Sequence, residues 1–149
     1  MNRIELKIAE ERDIDKLKVL TDSMLEPTGL GTATRAKIRN LVISPKTLVL
    51  LAWDGDELIG YTCGVVHESI FNDRLRVTDI GVYVEPAYRS GSVSRRMIDY
   101  LERWAKEQGA EELWLGQTTG GELTQVEKYY NRLGYKTKGF NCEIGRAHV

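Results

Sequence analysis

The chain is poor in several features that would place it in a special class. Only two of its 149 residues are cysteine, Cys63 and Cys142, and they lie far apart. That spacing makes neither a disulfide framework nor a metal-binding cluster, so no metal is expected and both cysteines read as small residues on strands. No apolar run is long enough to span a bilayer, and the opening MNRIELKIAEERD lacks the apolar core of a signal peptide. A reducing cytoplasm is therefore the expected location. Charge is almost balanced, with 21 Lys and Arg against 22 Asp and Glu. No global field then draws in nucleic acid or an anionic membrane. Internal repeats and low-complexity tracts are also missing. No helix opens on a Walker Gly-Lys-Ser/Thr or on G-x-G-x-x-G, which excludes a P-loop and a dinucleotide fingerprint.

What remains is ordinary globular sequence. Hydrophobic residues make up 42% and charged residues 29%, in a length that suits one domain with a real core. Ile4 to Ala9 alternates and reads as a strand. In the segment from Glu10 to Leu25, Ile14, Leu17, Leu20 and Met24 recur at helical spacing, and Pro27, Gly29 and Gly31 stop it. Ala33 to Val42 predicts a short second helix. Thr47 to Trp53 and Leu58 to Val66 flank the turn Asp54-Gly55-Asp56 and form a hairpin. Arg74 to Val84 is a further strand. A helix carrying Val93, Met97, Leu101, Trp104 and Ala105 on one face ends at Gly109. A short strand from Glu112 to Gly116, a helix from Glu122 to Arg132 and a last strand from Tyr135 to Glu143 complete the order β-α-α-β-β-β-α-β-α-β. This predicts an α/β fold whose mixed sheet has helices on both faces. Ile144 to Val149 (IGRAHV) reads as an assembly scar from a sequencing adapter, so the domain is expected to occupy residues 1–143.

The chemistry is concentrated in VYVEPAYRSGSVSRRMIDYL, Val82 to Leu101. A strand ends at a proline, and a turn of small residues opens directly into a helix. Backbone N–H groups at such a helix start attract phosphate, because they precede the helix's own bonds and the dipole is positive there. Ser90, Gly91, Ser92 and Ser94 are small enough to admit a diphosphate, and Arg89, Arg95 and Arg96 add positive charge. The same small residues also suit an ordinary capped helix, so this pattern by itself leaves both readings open.

The segment resembles the CoA-binding element of the GNAT superfamily of N-acetyltransferases, in which an apolar strand, Pro and Tyr or Phe precede Arg/Gln-x-x-Gly-x-Gly/Ala and an amphipathic helix. Arg89 matches the first position. Ser92 and Ser94 stand at the two glycine positions, and Gly91 sits one residue early. Downstream, Lys128 to Tyr135 (KYYNRLGY) resembles the family's (Phe/Leu)-Tyr-x-x-Leu-Gly-Phe/Tyr element. The Thr118-Thr119-Gly120 loop is similar to that of small bacteriophage members.

The resemblance implies a mostly antiparallel sheet with a splayed pair of parallel central strands, and acetyl-CoA as co-substrate. It implies that backbone groups of Val82, Tyr83 and Val84 bind the pantetheine arm and that one amide stabilises the oxyanion. Arg89, Ser90, Gly91, Ser92, Val93, Ser94 and Arg95 would hold the diphosphate. The acetyl group would pass to a small-molecule or protein amine by direct attack in a ternary complex. Tyr130 matches the general-acid position, with Tyr129 in the core. Candidates for the general base are Glu68, Asp79 and His67, beside ordered water. Val84, Val82 and Ile80 share one face of a regular strand, so Asp79 would point to the other unless a bulge intervenes. Acceptor specificity is expected from Met24 to Ser44 and from Glu68 to Arg74, with Glu26, Glu68 and Asp73 drawing a cationic amine. A homodimer is compatible with this reading. The competing reading is a CoA-binding or structural module of the same fold without turnover.

Overall fold

The computed structural model describes residues 3–116 and 123–138. The chain divides into two compact units, Met1–Thr119 and Gly120–Val149. The first is built on a five-stranded sheet in the order β1-β2-β3-β4-β5. Its strands are β1 (Ile4–Ile8), β2 (Thr47–Asp54), β3 (Glu57–Glu68), β4 (Leu75–Val84) and β5 (Glu112–Trp114). The first four pair antiparallel and β5 joins β4 in parallel.

The centre of β2 is buried on both sides, as its unbroken apolar run Leu48–Ala52 requires. Leu48, Leu50 and Ala52 join one core; Val49 and Leu51 join another. This period of two divides the sheet into two faces. The first is covered by α3 (Val93–Glu107), which buries Val93, Met97, Leu101 and Ala105 against Ile4, Val77 and Val84. The second is covered by α1 (Ile14–Leu25) and α2 (Arg35–Ile43), through Ile14, Leu17, Leu20 and Ile38. Helices on both faces of a mixed sheet agree with the fold class expected from the sequence. Among the described residues no helix is long and apolar enough to cross a membrane.

Local chemistry accounts for most element ends. Gly55 takes a positive φ of 60° in the β2–β3 turn, a conformation that costs glycine nothing. The Thr34 hydroxyl caps α2 by accepting from Lys37 N–H. The helix expected from Glu10 starts instead with a 3-10 turn over Glu11–Asp13, where Asp13 accepts from the Glu10 amide. Trp104, expected in the core, is only half-buried, because the centre line of α3 runs through Val93, Met97, Leu101 and Ala105 and leaves the indole on its flank. In the second unit α4 (Leu123–Arg132) ends at Gly134, whose φ is 99°. The expected last strand is absent over Tyr135–Lys138, and its remainder lies outside the described residues, as do Cys142, the Thr118-Thr119-Gly120 loop and Ile144 to Val149.

Candidate active site

A β-bulge sets the geometry of β4. Cys63 faces Gly81 but Gly64 faces Asp79, so Ile80 is squeezed out of the ladder. The extra residue inverts the side-chain alternation. Asp79 therefore lies opposite Gly64 on the α3 face, the face that also carries Val77, Val82 and Val84. A regular strand would have turned it the other way.

Just beyond this point the parallel strands part. The last β4–β5 pair is Thr78 with Trp114. One step further, Asp79 Oδ1 accepts from Gly116 N–H at 2.9 Å, so a side chain takes the place of the β4 backbone. This substitution explains why β5 stops at Trp114 rather than at Gly116. Desolvation pushes the half-buried Asp79 carboxyl up to about 6, against the opposing effect of the Gly116 hydrogen bond.

Among the described residues, the parting leaves β4 with an open edge. Glu85 N–H donates to Ile59 C=O at 2.8 Å. Bonded and non-bonded pairs alternate along an antiparallel ladder, so Glu85 and Tyr83 turn their backbone groups toward β3, and Val84 and Val82 turn theirs away from it. Val84 C=O accepts from Arg89 Nε at 2.7 Å. The Val82 N–H and C=O and the Val84 N–H face the gap. Tyr83, expected to share in binding there, does not offer its backbone: its carbonyl lies against Gly60, and Arg89 covers its ring at 5.4 Å.

The turn after β4 is tethered at three points. Besides the Arg89 contact, Tyr88 Oη donates to Asp54 Oδ2 at 2.6 Å and Arg96 Nη2 donates to Ile4 C=O at 3.0 Å. Hydrogen bonding to the Asp54 carboxylate pushes the Tyr88 phenol up to about 12. Arg96 is thereby committed to β1, whereas Arg95 is exposed. The first bond of α3 runs from Arg96 N–H to Ser92 C=O at 2.9 Å. The amides of the preceding turn of the helix point out of its end, and the Ser92 side chain makes no capping bond to them. Among the described residues none other than glycine has a positive φ, and Gly91 has none either. Serine at the two glycine positions therefore fits this backbone without strain.

The other base candidates stand elsewhere. His67 pairs with Arg76 and Glu68 with Leu75, at the start of β4. Glu68 lies four residues along β3 from Gly64, the partner of Asp79, which is roughly 13 Å at strand rise. His67 has both ring nitrogens engaged. Nδ1 donates to the Glu68 carbonyl at 3.0 Å, and Nε2 is hydrogen-bonded to Thr78 Oγ1 at 2.9 Å. The Glu68–Arg74 connection, with Asp73, is at that same far end, and so are two open pockets, one bordered by Lys46, His67 and Glu68 and one by Asn72, Arg74 and Glu111. The α1 end is better placed: Tyr61, opposite Tyr83, donates its hydroxyl to Met24 Sδ at 3.0 Å. In the second unit the half-buried Tyr130 packs at a tilt against Tyr129 and Tyr135, at centroid distances of 5.8 and 6.2 Å. Sequence reasoning passed over Gly116, whose role is a backbone amide and leaves no side-chain signal. It also passed over Thr62, the polar residue within the apolar run of β3.

A mixed sheet whose parallel strands part beside a helix start defines the class of fold as α/β. The profile of the acetyltransferase (GNAT) family matches residues 10–135, and the chain belongs to that family. That family is one of acetyltransferases, and its co-substrate is acetyl-CoA. It is 31% identical over 103 residues to a streptothricin acetyltransferase of Streptomyces lavendulae, a match covering 66% of this chain and 49% of that protein. The chain thus spans about half the length of that curated relative. Among solved structures it superposes on an acetyltransferase of Trypanosoma brucei with a TM-score of 0.77 at 16% identity, covering 95% of this chain and 99% of the other. It superposes equally on an aminoglycoside acetyltransferase from an uncultured soil sample, with a TM-score of 0.77 at 15% identity and coverages of 97% and 99%. A ribosomal-protein-alanine N-acetyltransferase of Brucella melitensis gives 0.75 at 17% identity, covering 97% and 99%. These structural likenesses show the fold. None of these relatives supports the bacteriophage subtype.

Proposed function

We propose that the chain transfers the acetyl group of acetyl-CoA to a primary amine by direct attack in a ternary complex. The observation that carries this reading is the open edge of β4. Val82 and Val84 present backbone groups to a gap that begins where β5 departs, and the turn leading to the α3 N-terminus follows. A pantetheine arm carries amides that pair with such an edge as an added strand would. The turn from Arg89 to Arg95 then receives the diphosphate on the outward amides of α3, with Arg95 adding charge. The Val82 N–H is the donor for the thioester oxygen, where negative charge develops during attack.

Asp79 is the general base, acting directly or through one water. It borders the gap, and its raised pKa lies near the operating range of such a base. Tyr130 supplies a proton to the departing thiolate, by its match to the family position. The family profile runs across both units, which supports a single acetyltransferase domain over residues 1–143. The acceptor is a cationic amine entering past the α1–α2 connection, where Glu26 is exposed. The names of two relatives, which refer to streptothricin and aminoglycosides, agree with that class.

Incubation with acetyl-CoA and a panel of aminoglycosides, streptothricin, polyamines and lysine peptides tests the reading by release of free thiol. Release above hydrolysis with at least one amine is expected. A flat response to every amine, in protein that binds CoA, would make the fold a binding module instead.

A further inference from the structure

We propose that Thr62 is a positioning residue, whose buried hydroxyl pins the β4 bulge that aims Asp79 and the Val82 amide into the gap between β4 and β5. The proposal rests on the acetyl-transfer reading above. Thr62 is fully buried, on β3, directly opposite Val82. Its Oγ1 donates to Gly81 C=O at 3.0 Å. Gly81 is the residue at which the ladder resumes after Ile80 leaves it.

The bulge has few other supports. Ile80 itself is 48% exposed and contributes little buried contact. Gly81 has no side chain, and a Cβ there would sit 3.4 Å from the Tyr61 hydroxyl. The partner strand is equally bare, since Gly60 and Gly64 flank this region; a Cβ on either would come within 3.0 Å of a neighbour, at 2.8 Å from Tyr83 O and 2.6 Å from Leu101 Cδ1. Glycines let the two strands and α3 approach closely, and they leave the bulge without side-chain wedges of its own. The Thr62 hydroxyl is a directional bond made at the turning point of the alternation. On one side of that point stands Asp79, and on the other the Val82 backbone. A bulge that relaxed toward regular pairing would reverse the direction of one of them.

Two substitutions separate this role from packing. Thr62→Val keeps the volume and branching and removes the hydroxyl. Thr62→Ser keeps the hydroxyl and removes the methyl. The expected result for Thr62→Val is kcat lowered about tenfold with KM for acetyl-CoA within about twofold, the size of effect that one lost hydrogen bond produces. Thr62→Ser should stay within about twofold of wild type in kcat, even where its melting temperature is the lower of the two. Hydrogen exchange at Gly81 and Tyr83, whose amides turn toward β3 on either side of Val82, should quicken about tenfold in the Val variant and not in the Ser variant. Wild-type kcat in Thr62→Val, or an equal loss in Thr62→Ser, would overturn the proposal. If the Val protein does not fold, Thr62→Ala against Thr62→Ser makes the same comparison. Wild-type protein inactive toward every amine would sink the acetyl-transfer reading and the catalytic half of this one. The exchange rates would then decide independently whether the hydroxyl anchors the bulge.

Discussion

Asp79 holds one hydrogen bond that favours its anion and sits in surroundings that oppose it. Burial dominates and lifts the carboxyl from 3.8 to about 6, while the Gly116 amide pulls the other way. Because the folded value is the higher one, the folded state binds the proton more tightly than the unfolded chain. The stability that this group contributes is complete below about pH 3.8 and is lost as pH rises through about 6. Ionised Asp79 is thus a cost to the fold at neutral pH, accepted at a place where a base is useful. Asp79→Asn keeps an oxygen for the Gly116 amide and cannot ionise. Its melting temperature at pH 7 should be no lower than that of wild type. Its kcat/KM should fall about 10²- to 10⁴-fold and lose the acid limb near pH 6. Full activity with an unchanged pH profile would remove Asp79 from the mechanism. Tyr130→Phe tests the acid. It keeps the ring that packs against Tyr129 and Tyr135 and removes only the hydroxyl. Turnover should drop while the dissociation constant for acetyl-CoA, measured by calorimetry, stays nearly constant.

Each element that borders the site holds its place by a specific contact, and two of these contacts suggest variants. The start of α3 carries no acidic residue in its first turn, and its N-cap serine makes no capping bond. Gly91→Asp or Ser92→Asp places a carboxylate where the diphosphate is expected, so CoA affinity should weaken with little change in thermal unfolding. Unchanged affinity would move the cofactor elsewhere. The seating of α3 on β3 depends on Gly64. A Cβ there would lie 2.6 Å from Leu101 Cδ1 and 3.2 Å from Val77 Cγ1. Gly64→Ala overpacks this contact and should cost about 1–3 kcal/mol, seen as a lower midpoint in denaturant unfolding. A variant as stable as wild type would mean that Leu101 has room to rotate away.

At the scale of the whole molecule, ligand binding and folding are linked. A cofactor that binds only the folded chain stabilises it by about 2.7 kcal/mol when present at 100 times its dissociation constant. Thermal scans against rising CoA should therefore show a melting temperature that climbs with concentration. A constant melting temperature would deny CoA a place on the protein.

Most elements of the first unit were legible in the sequence, because their causes are local. The run Leu48–Ala52 is apolar wherever it is placed, Gly55 allows the hairpin turn, and Val93, Met97, Leu101 and Ala105 share a helix face by spacing alone. The strand-turn-helix from Val82 to Leu101 was legible for the same reason, and the family resemblance rested on it. Three features depended on partners distant in sequence. The bulge at Ile80 arises where Thr62, Tyr61 and Gly81 meet across two strands, and it alone turns Asp79 to the α3 face. The early end of β5 needs the Asp79 carboxylate to reach Gly116, 37 positions on. The removal of His67 and Glu68 from the open edge follows from antiparallel register, which sends the end of β3 to the beginning of β4. Spacing along a chain determines which face a residue takes within its own element. Which residues then share a site is decided by pairing and by the close approach of strands, and those forces act only once the sheet has assembled.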